Sequence, residues 1–389
     1  MKYRISALLL AMIAAGCARE EGADGQAGTT GDSSRELHVY NWSDYIGEDT
    51  IANFEKETGI KVTYDVFDSN EVLEAKLMAG NTGYDVVVPS LTFLARQIQA
   101  DVFLELDKGR FQNYGNLDPV IMAEVARNDP GNTHSIPYLW GTTGIGYNVQ
   151  KVREVLGEDA PVDSWSLVFE AGNLAKLKAC GVAFLDTPSE IIPPVLQYLG
   201  EEPNSFDPEV IQKAADRLME LRPHITYFHS SQFINDLANG DICVAVGWSG
   251  DIIQAQARAA EAAEKNPGKP AVEVAYSIPK EGAPMWFDML AIPKDARNVD
   301  NAYLFLDYLM RPDVMADIQN YVMYASGNKA ALPLVDEEVL NDPGIYPAPE
   351  VQAKLYSLAV LPPEVDRLFN RHWTTNTTGK EASPTAGRA

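Results

Sequence analysis

Cysteine and histidine are scarce in this chain, three and five of 389 residues. The histidines, His38, His134, His224, His229 and His372, show no metal-ligand spacing, so no metal and no cofactor is expected. Basic residues are also short, 31 Lys and Arg against 55 Asp and Glu, giving a formal charge of −24. That balance argues against nucleic acid or an anionic membrane surface as partner and leaves room for a cationic ligand. Catalytic patterns are missing too. Gly247-Trp-Ser-Gly-Asp251 carries Asp251 where a nucleophile elbow needs its closing Gly. Gly141-Thr-Thr-Gly-Ile-Gly146 has neither the dinucleotide fingerprint spacing nor a phosphate-binding Lys. No local signature selects a carboxylate pair for glycoside chemistry. The chain reads as a binding protein and not an enzyme.

At 46% hydrophobic and 22% charged residues the remainder is ordinary globular material, and its length favours two domains. The first 17 residues form a targeting segment: Lys2 and Arg4, then the apolar core Ala7 to Ala15, then Ala14-Ala-Gly-Cys17. That core is far too short to span a bilayer. Small residues before Cys17 resemble a lipobox, which would make Cys17 a lipidated amino terminus and the only link to a membrane. Ala14 departs from the usual Leu, and ordinary cleavage to a free soluble protein is the alternative. Residues 18–35, rich in Gly, Ser, Thr and Glu, read as a flexible tether. Cys180 and Cys243 then remain; an even pair in an exported chain is read as one disulfide, with two buried thiols as the alternative.

Along residues 36–373 short apolar runs alternate with amphipathic segments. Leu37 to Tyr40, Ile60 to Val66, Asp85 to Ser90, Asp241 to Trp248, Val272 to Ile278 and Met285 to Ile292 read as strands. Thr133 to Tyr138 and Gly144 to Asn148 read as two more, on either side of a glycine-rich crossing into a second domain. The intervening segments read as helices, among them Asn70 to Ala79 with Ser69 as cap and Pro208 to Leu221. This is α/β architecture with mostly parallel sheets.

Ligands of open α/β sheets bind at the carboxyl ends of strands. There the chain repeats one composition, aromatic and acidic: Trp42, Ser43, Asp44 and Tyr45; Ser90; Glu190; Trp248 and Asp251; Trp286 and Asp288; Tyr324. Taken singly, each ring is as readily a core residue and each acid a solvated one. Together they suit an organic cation, with faces for its methylenes and acceptors for its N–H groups.

The chain resembles the periplasmic substrate-binding proteins of bacterial polyamine ABC transporters, near the putrescine-binding branch. The resemblance covers about residues 37–372. It rests on Tyr40-Asn-Trp-Ser-Asp-Tyr45, Val66-Phe-Asp-Ser-Asn-Glu-Val72, Leu77-Met-Ala-Gly80, Thr142-Thr-Gly-Ile-Gly-Tyr-Asn148, Tyr227-Phe-His-Ser-Ser231, Asn235-Asp-Leu-Ala-Asn-Gly-Asp-Ile-Cys243 and Ser277-Ile-Pro-Lys-Glu-Gly282. It implies a two-lobe α/β fold with a hinge and an interlobe cleft. The first lobe would be 36–140 plus 252–311 and the second 141–251 plus 312–373; residues 374–389, outside the resemblance, read from their polar composition as a disordered tail. It further implies an aromatic box of Trp42, Tyr45, Trp248, Trp286 and Tyr324. Ammonium acceptors would be Ser43, Asp44, Ser90, Glu190, Asp251 and Asp288, and the disulfide would be Cys180–Cys243. The implied ligand is putrescine or another polyamine, spermidine included; the implied partner is a membrane permease, and the expected state a monomer. A sensor subunit reporting polyamine to a membrane receptor would share every pocket residue and is the alternative. Trp286 stands where putrescine-preferring relatives tend to carry Phe, whereas Thr187 and Thr92 lack the acid and large ring of spermidine-preferring ones.

Overall fold

Local signals set the element ends. Gly59 adopts a left-handed backbone (φ 71°) and returns its N–H to the Glu55 carbonyl at 2.8 Å, stopping the helix Thr50–Thr58. Ser69 Oγ accepts the Val72 N–H at 3.2 Å and starts the helix Asn70–Ala79. The computed structural model describes residues 35–378 except 269; the targeting segment, Cys17, residues 18–34 of the tether and residues 379–389 lie outside them.

Among the described residues eleven strands form one mixed sheet. They are β1 (Glu36–Trp42), β2 (Lys61–Phe67), β3 (Val86–Val87), β4 (Ser135–Asn148), β5 (Val182–Phe184), β6 (Tyr227–Phe228), β7 (Val244–Trp248), β8 (Val274–Ser277), β9 (Pro284–Ala291), β10 (Ala325–Ser326) and β11 (Tyr356–Ser357). The main order is β2-β1-β3-β9-β4-β7-β5-β6. Its two flanks are parallel, as expected, but β9 runs antiparallel to β3 and β4, and β4 antiparallel to β7 and β8. A strand buried on both faces reads as a continuous apolar run whichever way its neighbour points, so pattern alone misses this direction.

Strand β4 is one 14-residue element where two strands and a glycine-rich crossing were expected. Its glycines serve close packing. A Cβ on Gly144 would lie 2.5 Å from the Tyr276 hydroxyl, and one on Gly146 would lie 2.8 Å from Ile252. Residues Ser135 to Thr142 of β4 pair with β9, and Thr143 to Tyr147 with β7. One strand thus belongs to both halves of the sheet.

Each half has its own apolar core. Leu37, Phe54, Leu94, Leu290 and Phe305 lie in the first; Trp165, Phe184, Leu196, Phe233 and Val246 lie in the second. Core membership differs from the expected division at two places. Ile252, Ala255 and Ala259 of the helix Ser249–Lys265 pack in the second core, whereas Val314, Met315 and Ile318 of the helix Pro312–Val322 pack in the first, with Ala325 to Ile345 following. An amphipathic pattern shows which face is covered, not which core covers it. The last helix, Pro363–Thr378, also runs past residue 373, into the segment expected to be a tail.

Cys180 and Cys243 are bonded, their Cα atoms 5.4 Å apart, beside the adjacent strands β5 and β7. Replacing both by Ser should lower the free energy of unfolding by about 4 kcal/mol, the chain-entropy value for a loop of this length. Denaturant titration of the two forms checks this; equal stability would assign the bridge no role in holding the second core.

Candidate ligand-binding site

Trp42 ends β1, and its indole N–H donates to the Val88 carbonyl at 2.9 Å, which fixes the ring beside the end of β3. Tyr45 follows on the connecting turn and packs edge-on against Tyr324, centroids 5.1 Å apart. Trp248 ends β7 and meets Trp42 edge to face at 5.4 Å. Trp286 and Asp288 are two apart in β9 and so share one face of it. They are mid-strand residues, a correction to their expected place in a strand-end loop. Glu190 and Asp251 stand in the first turns of the helices Pro188–Tyr198 and Ser249–Lys265. Tyr324 can approach because residue 250 is glycine: a Cβ there would lie 2.4 Å from its ring.

These side chains close on one cavity. Ten of the eleven residues expected at the site line it: Trp42, Ser43, Tyr45, Ser90, Glu190, Trp248, Asp251, Trp286, Asp288 and Tyr324. Asp44 does not. Its backbone is left-handed (φ 53°), and its carboxylate pairs with Arg258 at 2.7 Å, so its charge is already answered. Phe67, Asp68 and Ser230 complete the lining and were not anticipated. Phe67 and Asp68 sit at the carboxyl end of β2, where the strand-end rule that found Trp42 applies equally.

Each buried acid has a neutral donor. Tyr324 OH donates to Asp251 Oδ1 at 2.7 Å, Ser90 Oγ to Asp288 Oδ1 at 2.6 Å, and Thr143 Oγ1 to Glu190 Oε2 at 2.6 Å. Ser90 is itself held by Asn70, whose Nδ2 donates to its hydroxyl at 2.9 Å. The Tyr45 hydroxyl lies beside Asp288 without closing a hydrogen bond. Among the described residues four carboxylates line the cavity, and no Lys, Arg or His does. Burial pushes Asp251 up to about 8 and Asp288 and Glu190 up to about 7, against the hydrogen bonds from Tyr324, Ser90 and Thr143. Aromatic faces and unneutralised acids in one cavity are complementary to an organic cation.

Two apolar cores, a strand shared between them and a polar cavity between their facing ends define a two-lobe α/β solute-binding protein. The sequence agrees. Residues 49–347 match the family of bacterial extracellular solute-binding proteins, and the chain belongs to that family. It is 58% identical over 354 residues to the putrescine-binding periplasmic protein PotF of Escherichia coli, covering 91% of this chain and 94% of that one. It is 56% identical to the putrescine-binding periplasmic protein SpuD of Pseudomonas aeruginosa, covering 88% of this chain and 92% of that one. Among solved structures, a putative spermidine/putrescine ABC transporter from Listeria monocytogenes superposes with a TM-score of 0.78 at 32% identity, covering 89% of this chain and 100% of that one. The resemblance expected from the sequence is borne out.

The raised carboxyl groups give the ligand-free protein a pH dependence of definite sign. Folding lifts Asp251, Asp288 and Glu190 above their ordinary values of 3.8, 3.8 and 4.5, so the folded state holds protons that the unfolded chain releases. The resulting stabilisation is complete below those ordinary values and is lost as pH rises through about 7 to 8. The melting temperature of the ligand-free protein should therefore fall from about pH 5 to about pH 8.5. Asp251→Asn, which keeps the shape and removes the titration, should flatten that slope. An unchanged slope in scanning calorimetry would remove Asp251 from the account.

Proposed function

We propose that this chain is the extracytoplasmic binding component of a polyamine ABC importer and holds putrescine in the cleft. The observation that carries the reading is a cavity lined, among the described residues, by four acids, no basic side chain and aromatic walls. A polyamine is an alkyl chain with cationic ends. The rings cover its methylenes and the carboxylates pair its ammonium groups, each buried charge needing its partner. Putrescine has about six non-hydrogen atoms; at a ceiling of about 1.5 kcal/mol per atom that allows about 9 kcal/mol, a sub-micromolar Kd. The names of PotF and SpuD support the same ligand class.

In this reading the first lobe is built on 36–142 with 284–345, and the second on 143–283 with 363–378, following core membership. The lobes close over ligand and present a closed face to a membrane permease. The protein works as a monomer in the periplasm, binds without catalysing, and is tethered through lipidated Cys17 and the segment that follows it. It needs no metal or cofactor.

Charge should rank the ligands. A triamine brings one more cation than a diamine. At the Glu190 end, Thr187 offers a hydroxyl that already donates to Glu71, at 3.2 and 3.3 Å to its two oxygens. Ser189 donates to Glu71 as well, at 3.2 Å. That carboxylate is engaged and is not among the lining residues, so an amine added at the Glu190 end meets no free acid there, and putrescine should bind more tightly than spermidine. Titration calorimetry of the mature protein against both amines tests this; tighter spermidine binding would mean that Glu71 or Asp68 accepts the added amine. In the same assay Asp251→Asn and Asp288→Asn should each weaken putrescine by about 2–5 kcal/mol, because a buried cation loses its partner. Undiminished affinity in both variants would overturn the polyamine reading.

A further inference from the structure

We propose that Thr143 is a positioning residue of the site: its hydroxyl ties Glu190 to the Trp286 ring, so that the residue at 286 sets ligand choice partly through a carboxylate it does not touch. This rests on the polyamine reading above.

With Glu190 ionised, as it is when it pairs a bound cation, the geometry allows one arrangement of protons. Trp286 Nε1 donates to Thr143 Oγ1 at 3.2 Å, and an indole nitrogen can only donate. Thr143 Oγ1 has a single proton, and its other neighbour is Glu190 Oε2 at 2.6 Å, an acceptor. The chain therefore runs from Trp286 through Thr143 to Glu190, each link polarising the next. All three residues are buried, with Thr143 fully so, which shields the chain from water.

Position in the fold gives Thr143 reach to both halves. In β4, Thr142 is the last residue registered with β9, and Thr143 the first registered with β7, directly opposite Trp248. Trp286 packs in the first core, whereas Glu190 stands on a helix whose apolar side packs in the second. The adjacent Thr142 hydroxyl is taken up by Tyr276 OH at 2.7 Å, so it offers Glu190 no substitute donor. A phenylalanine at 286 has no N–H and leaves the Thr143 lone pair unpaired in a dry site. The difference between Trp and Phe at this position is thus more than ring area.

The test uses mature protein and isothermal calorimetry with putrescine and spermidine on the wild type, Thr143→Val, Thr143→Ser, Trp286→Phe and the Val/Phe double variant. Thermal unfolding confirms that each is folded. Thr143→Val should weaken putrescine about 10- to 100-fold, the range for a lost hydrogen bond to a charged group, and Thr143→Ser should restore most of it. Thr143→Val and Trp286→Phe should move the putrescine-to-spermidine ratio in the same direction, and the double variant should match a single one. Should Thr143→Val not fold, Thr143→Ala set against Thr143→Ser isolates the same hydroxyl. Putrescine affinity within twofold of the wild type in the hydroxyl-free variant, no rescue by serine, or additive effects would each overturn the relay. A wild type that binds neither amine would instead overturn the functional reading beneath it.

Discussion

Glu190, Asp251 and Asp288 are buried together in a cleft with no basic side chain among the described lining residues, and most of the site is arranged around that fact. Elsewhere the protein buries acids in a different way. Asp85 accepts N–H groups from His38, Arg297 and Asn298, and Asp129 accepts from Thr133, His134 and Ser135, so each is satisfied by its own surroundings. The cleft acids instead receive single neutral donors from Tyr324, Ser90 and Thr143. In the proposed function that unmet demand is what a cationic ligand would meet. Burial lifts all three carboxyl groups, so without ligand they keep their protons to higher pH than solvated acids do.

Holding like charges close requires rigid supports from several directions. Asp288 comes from mid-strand in β9, Glu190 and Asp251 from two helix starts, and the rings from the ends of β1 and β7. Strand β4 connects these supports, pairing with β9 along one half and β7 along the other. Its glycines let Tyr276 and Ile252 pack against bare backbone, and the strand stays extended where a turn would separate the two halves. Asp44 is the counterexample within the same stretch of sequence. Paired with Arg258, it holds a helix of the second core against the first and leaves the cavity to its neighbours.

Much of the site was legible before any coordinates. Trp42, Tyr45 and Trp248 follow from apolar strands running into aromatic connections, and Cys180 with Cys243 follows from cysteine count in an exported chain. The same strand-end reading named Ser43, Ser90, Glu190, Asp251, Trp286, Asp288 and Tyr324, and the family resemblance gave each its implied role. Thr143 carried no such signal. It is a threonine inside a strand, a position where β-branched residues are common for packing reasons alone. Asp68 and Phe67 did carry the strand-end signal, within a run already noticed for other reasons.

The sequence by itself determined most of the elements, the aromatic and acidic character of the strand-end positions, and the absence of a catalytic pattern. These depend on spacing, composition and local capping, which act over a few residues. The tertiary structure alone decided which acids remain without a basic partner, which core each late helix joins, and that the glycine-rich run is a continuous strand. Those outcomes depend on residues far apart in the chain. Arg258 lies 214 residues from Asp44, and Asp288 lies 198 from Ser90. No local periodicity encodes such pairings, because the free energy that selects them arises only once the two cores have packed.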